Sequence, residues 1–239
     1  MMGMTHTQIR IASYNIHKAR GVDRRYDPER ILQVINGLDA DIVVLQEADK
    51  RLGQRLPAIP PELIESETDF RLVDVSANGI SLGWHGNAVL VRPSVHVAGF
   101  TRLELPGLEP RGALRIDLDI GAGLSVVGTH LGLRRQNRQA QLRTLCEATL
   151  DSAHTVIAGD FNEWSERTGL EPLADRFETH SPGRSFHARR PMAALDRFAL
   201  STGIELRDAG VEQGHLAKRA SDHLPIWSDI SVPLTVSAD

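Results

Sequence analysis

Cysteine is all but missing from this 239-residue chain, where Cys146 stands alone. No intramolecular disulfide can form, and no cysteine-rich zinc site can be assembled. Cys146 falls in a helical pattern and reads as a small core residue. Aromatic residues make up only 5% of the chain, too few to advertise a wide surface for stacking bases. An excess of positive charge is also lacking. The formal net charge is −4, which argues against bulk electrostatic attraction to nucleic acid and leaves room only for a local basic patch. No apolar run approaches the roughly 18 residues that span a bilayer, so no stable membrane insertion is expected. Met1 to Gln8 carries no apolar stretch of the kind a secretory leader needs, and a cytoplasmic protein is the expectation. Internal repeats, linkers and low-complexity segments are absent. The simplest organisation is one domain over residues 9–236, with residues 1–8 as an N-terminal extension that is either disordered or a matter of which of Met1, Met2 and Met4 starts the chain.

What is present centres on Thr155-Val-Ile-Ala-Gly-Asp-Phe-Asn162. Val156, Ile157 and Ala158 form the short apolar run of a strand buried on both faces. Asp160 and Asn162 follow one residue apart. On extended backbone both would project from one face, with Phe161 turned to the core. A carboxylate and an amide side by side suit a hard cation and a phosphate. The other reading is a turn, with Asp160 and Asn162 bonding to nearby backbone.

The same pattern recurs along the chain. Ile9 to Ile16 reads as a strand with Asn15 near its end. Asp41 to Glu47 is a second strand, whose four apolar residues run into Glu47. Between them, Asp27-Pro28-Glu29 is a helix start, with Ile31, Leu32, Ile35 and Leu38 as its buried face. Phe70 to Val75 and Ala88 to Val91 read as strands, and Val95 to Leu103 as an edge strand. Arg111 to Ile120 and Leu124 to Thr129 form a hairpin about Gly121-Ala122-Gly123, closed by His130. Leu133 to Leu150 is a helix carrying Arg134, Arg135 and Arg138 in its first turns, either as a solvated face or as charge offered to an anionic substrate. Ala194 to Leu200, Ile204 to Ala209 and Ile230 to Val236 are further strand-like runs.

Polar residues therefore stand at the ends of apolar runs: Asn15, Glu47, His130, Asp160, Asn162, Asp196, Asp222 and His223. Convergence on one site explains the recurrence better than chance. Carboxylates with amide oxygens make the hard donor set that Mg²⁺ or Mn²⁺ prefers. Zinc is disfavoured because no His-x-x-x-His spacing occurs.

Six stretches carry a resemblance to a known family: Ser13-Tyr14-Asn15-Ile16, Leu45-Gln46-Glu47, Thr129-His130-Leu131, Gly159-Asp160-Phe161-Asn162, Leu195-Asp196-Arg197 and Ser221-Asp222-His223. In this order the chain resembles the endonuclease/exonuclease/phosphatase (DNase I-like) superfamily, and within it a subgroup of small, poorly characterised bacterial members. The resemblance implies a four-layer α/β sandwich, with two mostly antiparallel sheets face to face and helices outside. It implies Mg²⁺-dependent hydrolysis of phosphoesters, Mn²⁺ being an alternative ion. Glu47 would be the chief metal ligand, with Asn15 and Asp222 beside it. Asp160 would orient or deprotonate the attacking water, and Asn162 would hold that water or a phosphate oxygen. His223, braced by Asp196, would face the phosphate. His130 would contact it too, or protonate the leaving oxygen. Asn87, Arg111, Arg134 and His17 are candidate substrate contacts. The partner is a phosphoester, either nucleic acid or a phospholipid or inositol phosphate; no protein partner is indicated. His17 stands where some relatives have a carboxylate, which puts a second metal ligand there in doubt. The tyrosine that abasic-site enzymes of the family place near the phosphate has no counterpart, and no long basic DNA-gripping loops are evident; both weigh against a DNA-repair role.

Overall fold

The computed structural model describes residues 6–51 and 53–234. Its strands are β1 (His6–Asn15), β2 (Ile42–Gln46), β3 (Arg71–Leu72), β4 (Ala88–Val91), β5 (Val97–Leu105), β6 (Arg111–Leu118), β7 (Leu124–His130), β8 (Thr155–Asp160), β9 (Phe177–His180), β10 (Asp196–Ser201), β11 (Glu205–Val211) and β12 (Ile226–Pro233). The helices are α1 (Pro28–Asn36), α2 (Pro61–Glu67), α3 (Arg135–Glu147) and the single turn α4 (Ala217–Ala220). Two six-stranded sheets result, ordered β11-β12-β1-β2-β4-β3 and β5-β6-β7-β8-β10-β9.

Period-2 alternation explains how both faces of each sheet are covered. Ile42 and Val44 of β2 meet Val156 and Ala158 of β8 in the layer between the sheets. Their neighbours Val43 and Leu45 turn outward onto Ile31, Ile35 and Ile64 of α1 and α2. On the far side, Val127 and Ile157 pack against Leu142 and Leu145 of α3. The layers run helix, sheet, sheet, helix, which is the expected DNase I-like sandwich. Helix α1 starts as its sequence dictates: Asp27 Oδ1 accepts from Arg30 N at 3.0 Å, with Pro28 in the first turn. Cys146 packs half-buried against the α3-side core. Among the described residues, no helix is long and apolar enough to cross a membrane.

Several boundaries differ from the sequence reading. His6, Thr7 and Gln8 are not an extension; they pair with Pro233, Val232 and Ser231 at the start of β1. Met1 to Thr5, and residues 235 and 236 of the expected domain, lie outside the described residues. The strand expected over Phe70–Val75 shrinks to β3, because the Asp74 carboxylate accepts from Ser76 N and turns the chain out of the sheet. The last run begins earlier than expected, at Ile226, as strand β12.

The topology also fixes where strands end. β1 and β2 are parallel, with Asn15 opposite Gln46. β7 and β8 are parallel, with His130 opposite Asp160. Each parallel pair needs a crossover helix, supplied by α1 and α3. All four strands thus finish at one edge. β10 runs antiparallel to β8 and begins there, with Asp196 opposite Asp160. β12 runs antiparallel to β1, so residue 223 just before it arrives at the same edge.

Gly159 lets β8 approach β7 there. Its φ is +151°, and a Cβ would fall 1.9 Å from Thr129 O. Gly159→Ala should cost about 2–4 kcal/mol in urea denaturation. Gly123→Ala, at φ +97° with no atom within 4 Å of its Cβ, should cost only about 1–2 kcal/mol. Equal losses would show that the strands have slack at this point.

Candidate active site at the strand ends

Asp160 is the hub of the edge. Its Oδ2 accepts from Asn15 Nδ2 at 3.1 Å and lies 3.4 Å from His130 Nε2 and 3.6 Å from His223 Nε2. Its Oδ1 accepts from the Asn162 backbone N–H at 2.9 Å. On the far side of His223, Nδ1 donates to Asp196 Oδ2 at 2.8 Å, and Ser185 Oγ donates to the same oxygen. The Phe186 ring lies against the His223 imidazole with centroids 4.9 Å apart. Ser221 Oγ donates to Asn15 O at 2.7 Å, tying the segment before β12 to the end of β1.

The electrostatics follow from this packing. Burial opposes a charge on His223, but Asp196 and Asp160 outweigh it and raise the imidazole to about 10. Burial raises the Asp160 carboxyl to about 6; His223 pulls it down and Asp196 pushes it up. At neutral pH the shared proton resides on His223. His130 is the opposite case. Burial, followed by the charges of Arg111 and His223, holds it well below the ordinary imidazole value, so it is neutral.

Glu47 opens the second half of the site. Its backbone is left-handed at φ +53°, which swings the side chain off the line of β2. His17, Lys18 and Ala19 are also left-handed, three non-glycine residues in succession. This tight turn delivers the Lys18 ammonium to Glu47 Oε2. Burial alone would raise Glu47, but Lys18, His17 and His223 outweigh it and hold it below its ordinary value. Asp222 sits a quarter exposed, with its Oδ1 3.7 Å from His17 Nδ1. Asn15 Oδ1 accepts from His17 N at 3.1 Å.

Asn15, His130, Asp160, Asn162, Asp196 and His223 thus form one connected group, and Glu47, His17 and Asp222 flank it. The placement of Asn162 corrects the alternation argument. β8 stops at Asp160, and Asn162 turns left-handed at φ +51°. Its Nδ2 donates to Leu131 O at 2.9 Å. The turn and the site are the same object here. Asn87 is fully buried and donates to Gly112 O at 2.9 Å and to Trp84 O at 3.2 Å. It pins the 84–87 turn to β6. Arg111 lines a pocket together with Glu47 and His130. Arg134 is not brought in; it is exposed at the N-cap of α3 and lines none of that pocket. Neither reading of the arginine run fits Arg138, which is buried and bonds Glu163 Oε2 at 2.7 Å and Leu133 O at 2.6 Å.

Sequence reasoning missed Lys18, Ser185, Phe186 and the basic residues after Glu47. Lys18 follows Asn15-Ile16-His17 directly, and Lys50-Arg51 follows Glu47 by three residues, so both stood in view. Ser185 carried no signal. Arg197, fully buried, also escaped; it donates to Glu163 O and Ser165 O and clamps the loop after Asn162.

Two groups have the chemistry to hold a cation. Asp160, Asp196 and His223 bring ligand atoms within 4.8 Å of one another, all buried. Their mutual contacts already use these atoms, His223 serving as the positive partner. Glu47 and Asp222, each about a quarter exposed, and the buried Asn15 amide offer hard oxygens, and that donor set fits a divalent ion better. Such an ion must displace the Lys18 ammonium from Glu47.

Comparison with known proteins agrees with the fold. The sequence model of the Endonuclease/Exonuclease/phosphatase family matches residues 12–223. The Escherichia coli K12 protein called "Uncharacterized protein YbhP" is 27% identical, covering 92% of this chain and 95% of that one. A crystal structure of an endonuclease/exonuclease/phosphatase from Beutenbergia cavernae superimposes with TM-score 0.73 at 22% identity, covering 95% of this chain and 72% of that one. A Bacteroides thetaiotaomicron structure described as a mannosyl-6-phosphatase gives TM-score 0.71 at 16% identity, covering 93% and 99%.

The raised His223 imidazole makes a stability prediction. Its folded value of about 10 lies above the ordinary 6.5. Its contribution is therefore complete below about pH 6.5 and is lost as pH rises through 10. In metal-free buffer, the melting temperature of the wild type should fall more steeply between pH 7 and 10 than that of His223→Gln. Parallel curves would show that His223 is not held as imidazolium.

Proposed function

The chain belongs to the endonuclease/exonuclease/phosphatase family, and from that premise we propose that it hydrolyses phosphoester bonds by attack of water on phosphorus with a divalent ion, Mg²⁺ or Mn²⁺. The observation that carries this reading is the buried Asp196–His223–Asp160 chain with neutral His130 beside it. Hydrolysis forms one P–O bond from water, breaks the bond to the leaving oxygen, and moves one proton between them. Asp160, at about 6, is ionised at neutral pH yet basic enough to take the proton from water. His223, kept cationic by its two carboxylates, neutralises charge growing on the phosphoryl oxygens. Its Nδ1 bond to Asp196 fixes the ring, and Phe186 packs against its face. His130 is neutral and therefore acts as a hydrogen-bond donor to phosphate or leaving oxygen rather than as a strong acid. Asn162, held by Leu131 O, sets the loop that positions the water. Glu47, with Asn15 and Asp222, would hold the ion, which when bound supplies positive charge at the phosphoryl group.

A phospholipid substrate is the second reading. Trp164 is 62% exposed and Met192 58%, both beside Phe186 on the His223 side of the edge, as an apolar surface would favour.

Bis-p-nitrophenyl phosphate provides the test. With Mg²⁺ the wild type should release nitrophenol, and chelation should abolish the rate. Glu47→Ala, Asp160→Asn and His223→Ala should each lose about 10²–10⁴-fold in kcat/KM with folding retained by circular dichroism. Equal rates across the set would remove the hydrolase reading.

A further inference from the structure

The turn after β1 concentrates backbone strain. His17, Lys18 and Ala19 hold φ of +46°, +56° and +56°, and no two other neighbouring non-glycine residues among those described are left-handed. Strain of this kind lasts only where surrounding bonds over-determine it. Here Ile16 N donates to Gln46 O at 3.0 Å, Lys18 N to Glu47 O at 3.1 Å and Asp27 N to Ala19 O at 2.8 Å, and Ala19 is fully buried. The backbones of Lys18 and Glu47 are therefore fixed to each other. What stays free is the four-carbon stem of the lysine, which carries a compact charge with three donors.

That charge has one partner. Among the described residues, Lys18 Nζ is the one hydrogen-bond donor that reaches the Glu47 carboxylate, and Glu47 is the one acceptor of Lys18 Nζ. Glu47 is also the residue assigned to the divalent ion. The ammonium thus sits on an oxygen that the ion would take, and two positive charges cannot share it. A fixed Cα and a flexible stem limit where a displaced ammonium can go. Lys18 lines the pocket that has Glu47, His130 and Arg111 in its wall, and its side chain is 32% exposed. Its charge already reaches His130: after burial, Arg111 and His223, Lys18 adds to what holds that imidazole low. Arg51, Arg55 and Arg111 line the same wall, so the pocket repels an uncompensated ammonium. A phosphoryl group beside His130 reverses that field and offers the ammonium an acceptor.

We propose that Lys18 has two positions exchanged by the divalent ion: it neutralises Glu47 until an ion takes that oxygen, and it then donates to a phosphoryl oxygen of the substrate. The first position stands on the geometry alone. The second rests on the phosphoester-hydrolase reading and adds a catalytic residue to it. No proton is transferred in this step; the ammonium supplies charge and a hydrogen bond as negative charge grows on the phosphoryl oxygens.

The test begins with the wild type and needs no turnover. Only three lysines occur in the chain, Lys18, Lys50 and Lys218, so acetylation by acetic anhydride can be followed at each by mass spectrometry. Mg²⁺ should raise Lys18 labelling about fivefold, the release of one partly exposed ion pair, and leave Lys50 and Lys218 unchanged. Inorganic phosphate added with Mg²⁺ should protect Lys18 again. Labelling of Lys18 that ignores Mg²⁺ overturns the proposal, and so does a release that phosphate does not reverse. Labelling needs no variant, so the proposal is tested even where a substitution fails to fold. Lys18→Gln should show two opposite effects. It should bind Mn²⁺ about fivefold more tightly than the wild type by isothermal titration calorimetry. At saturating Mn²⁺ it should still lose about 10²-fold in kcat/KM on bis-p-nitrophenyl phosphate, with Lys18→Arg retaining part of the rate. Equal or weaker Mn²⁺ binding, as a merely structural lysine would give, overturns the proposal, and so does an unchanged rate at saturation. The full labelling pattern in a wild type that fails to hydrolyse bis-p-nitrophenyl phosphate would leave the exchange of Lys18 standing and remove the hydrolase reading alone.

Discussion

Two carboxyl groups placed opposite each other on neighbouring strands, and buried, need a positive partner. Asp160 and Asp196 are in register across β8 and β10, and His223 supplies that partner from a separate strand end. Leaving such a charge buried and unpaired costs about 3–5 kcal/mol. The arrangement is therefore a constraint on the fold as well as a chemical device. The segment before β12 must reach the ends of β8 and β10, and Ser221 bonding to Asn15 O, with Phe186 packed on the ring, keeps it there.

The sandwich meets that constraint through strand direction. Two parallel pairs, one in each sheet, send Asn15, Glu47, His130 and Asp160 to a common edge. Antiparallel neighbours begin where those strands stop, and so deliver Asp196 and His223. Residues 145 positions apart meet because the sheets stack, with Asn15 of one sheet bonded to Asp160 of the other. The inter-sheet layer of Val, Ile, Leu and Ala holds this distance through close packing.

Much of this could be read in the sequence because apolar runs and the polar residues that end them are local signals. The runs at Ile42–Leu45 and Val156–Ala158 announce buried strands, and Glu47 and Asp160 stand out for following them. What depends on backbone angle was not legible. The sequence left Asn162 open between strand alternation and a turn, and its left-handed φ decides for the turn. The same holds for Lys18, whose meeting with Glu47 depends on three consecutive left-handed residues. Arg138 misled for another reason: charge on a helix reads as solvated until a buried partner, here Glu163, is known. Arg134, its neighbour in the run, did end in solvent. Ser185, which donates to Asp196, lies in a stretch with no periodicity at all.

The site divides its charge in space. Carboxylates and His223 occupy the buried centre, Glu47 and Asp222 the more open flank, and a group of lysines and arginines the pocket beyond. In the proposed hydrolysis, a phosphate at the centre would meet His223 as its positive partner and Asp160 as the base for water. The most direct measurement of the central claim is the ¹⁵N spectrum of the His223 ring at pH 8 in metal-free buffer. Both ring nitrogens should carry protons, one of them shared with Asp196. A single unprotonated ring nitrogen at that pH would contradict the account.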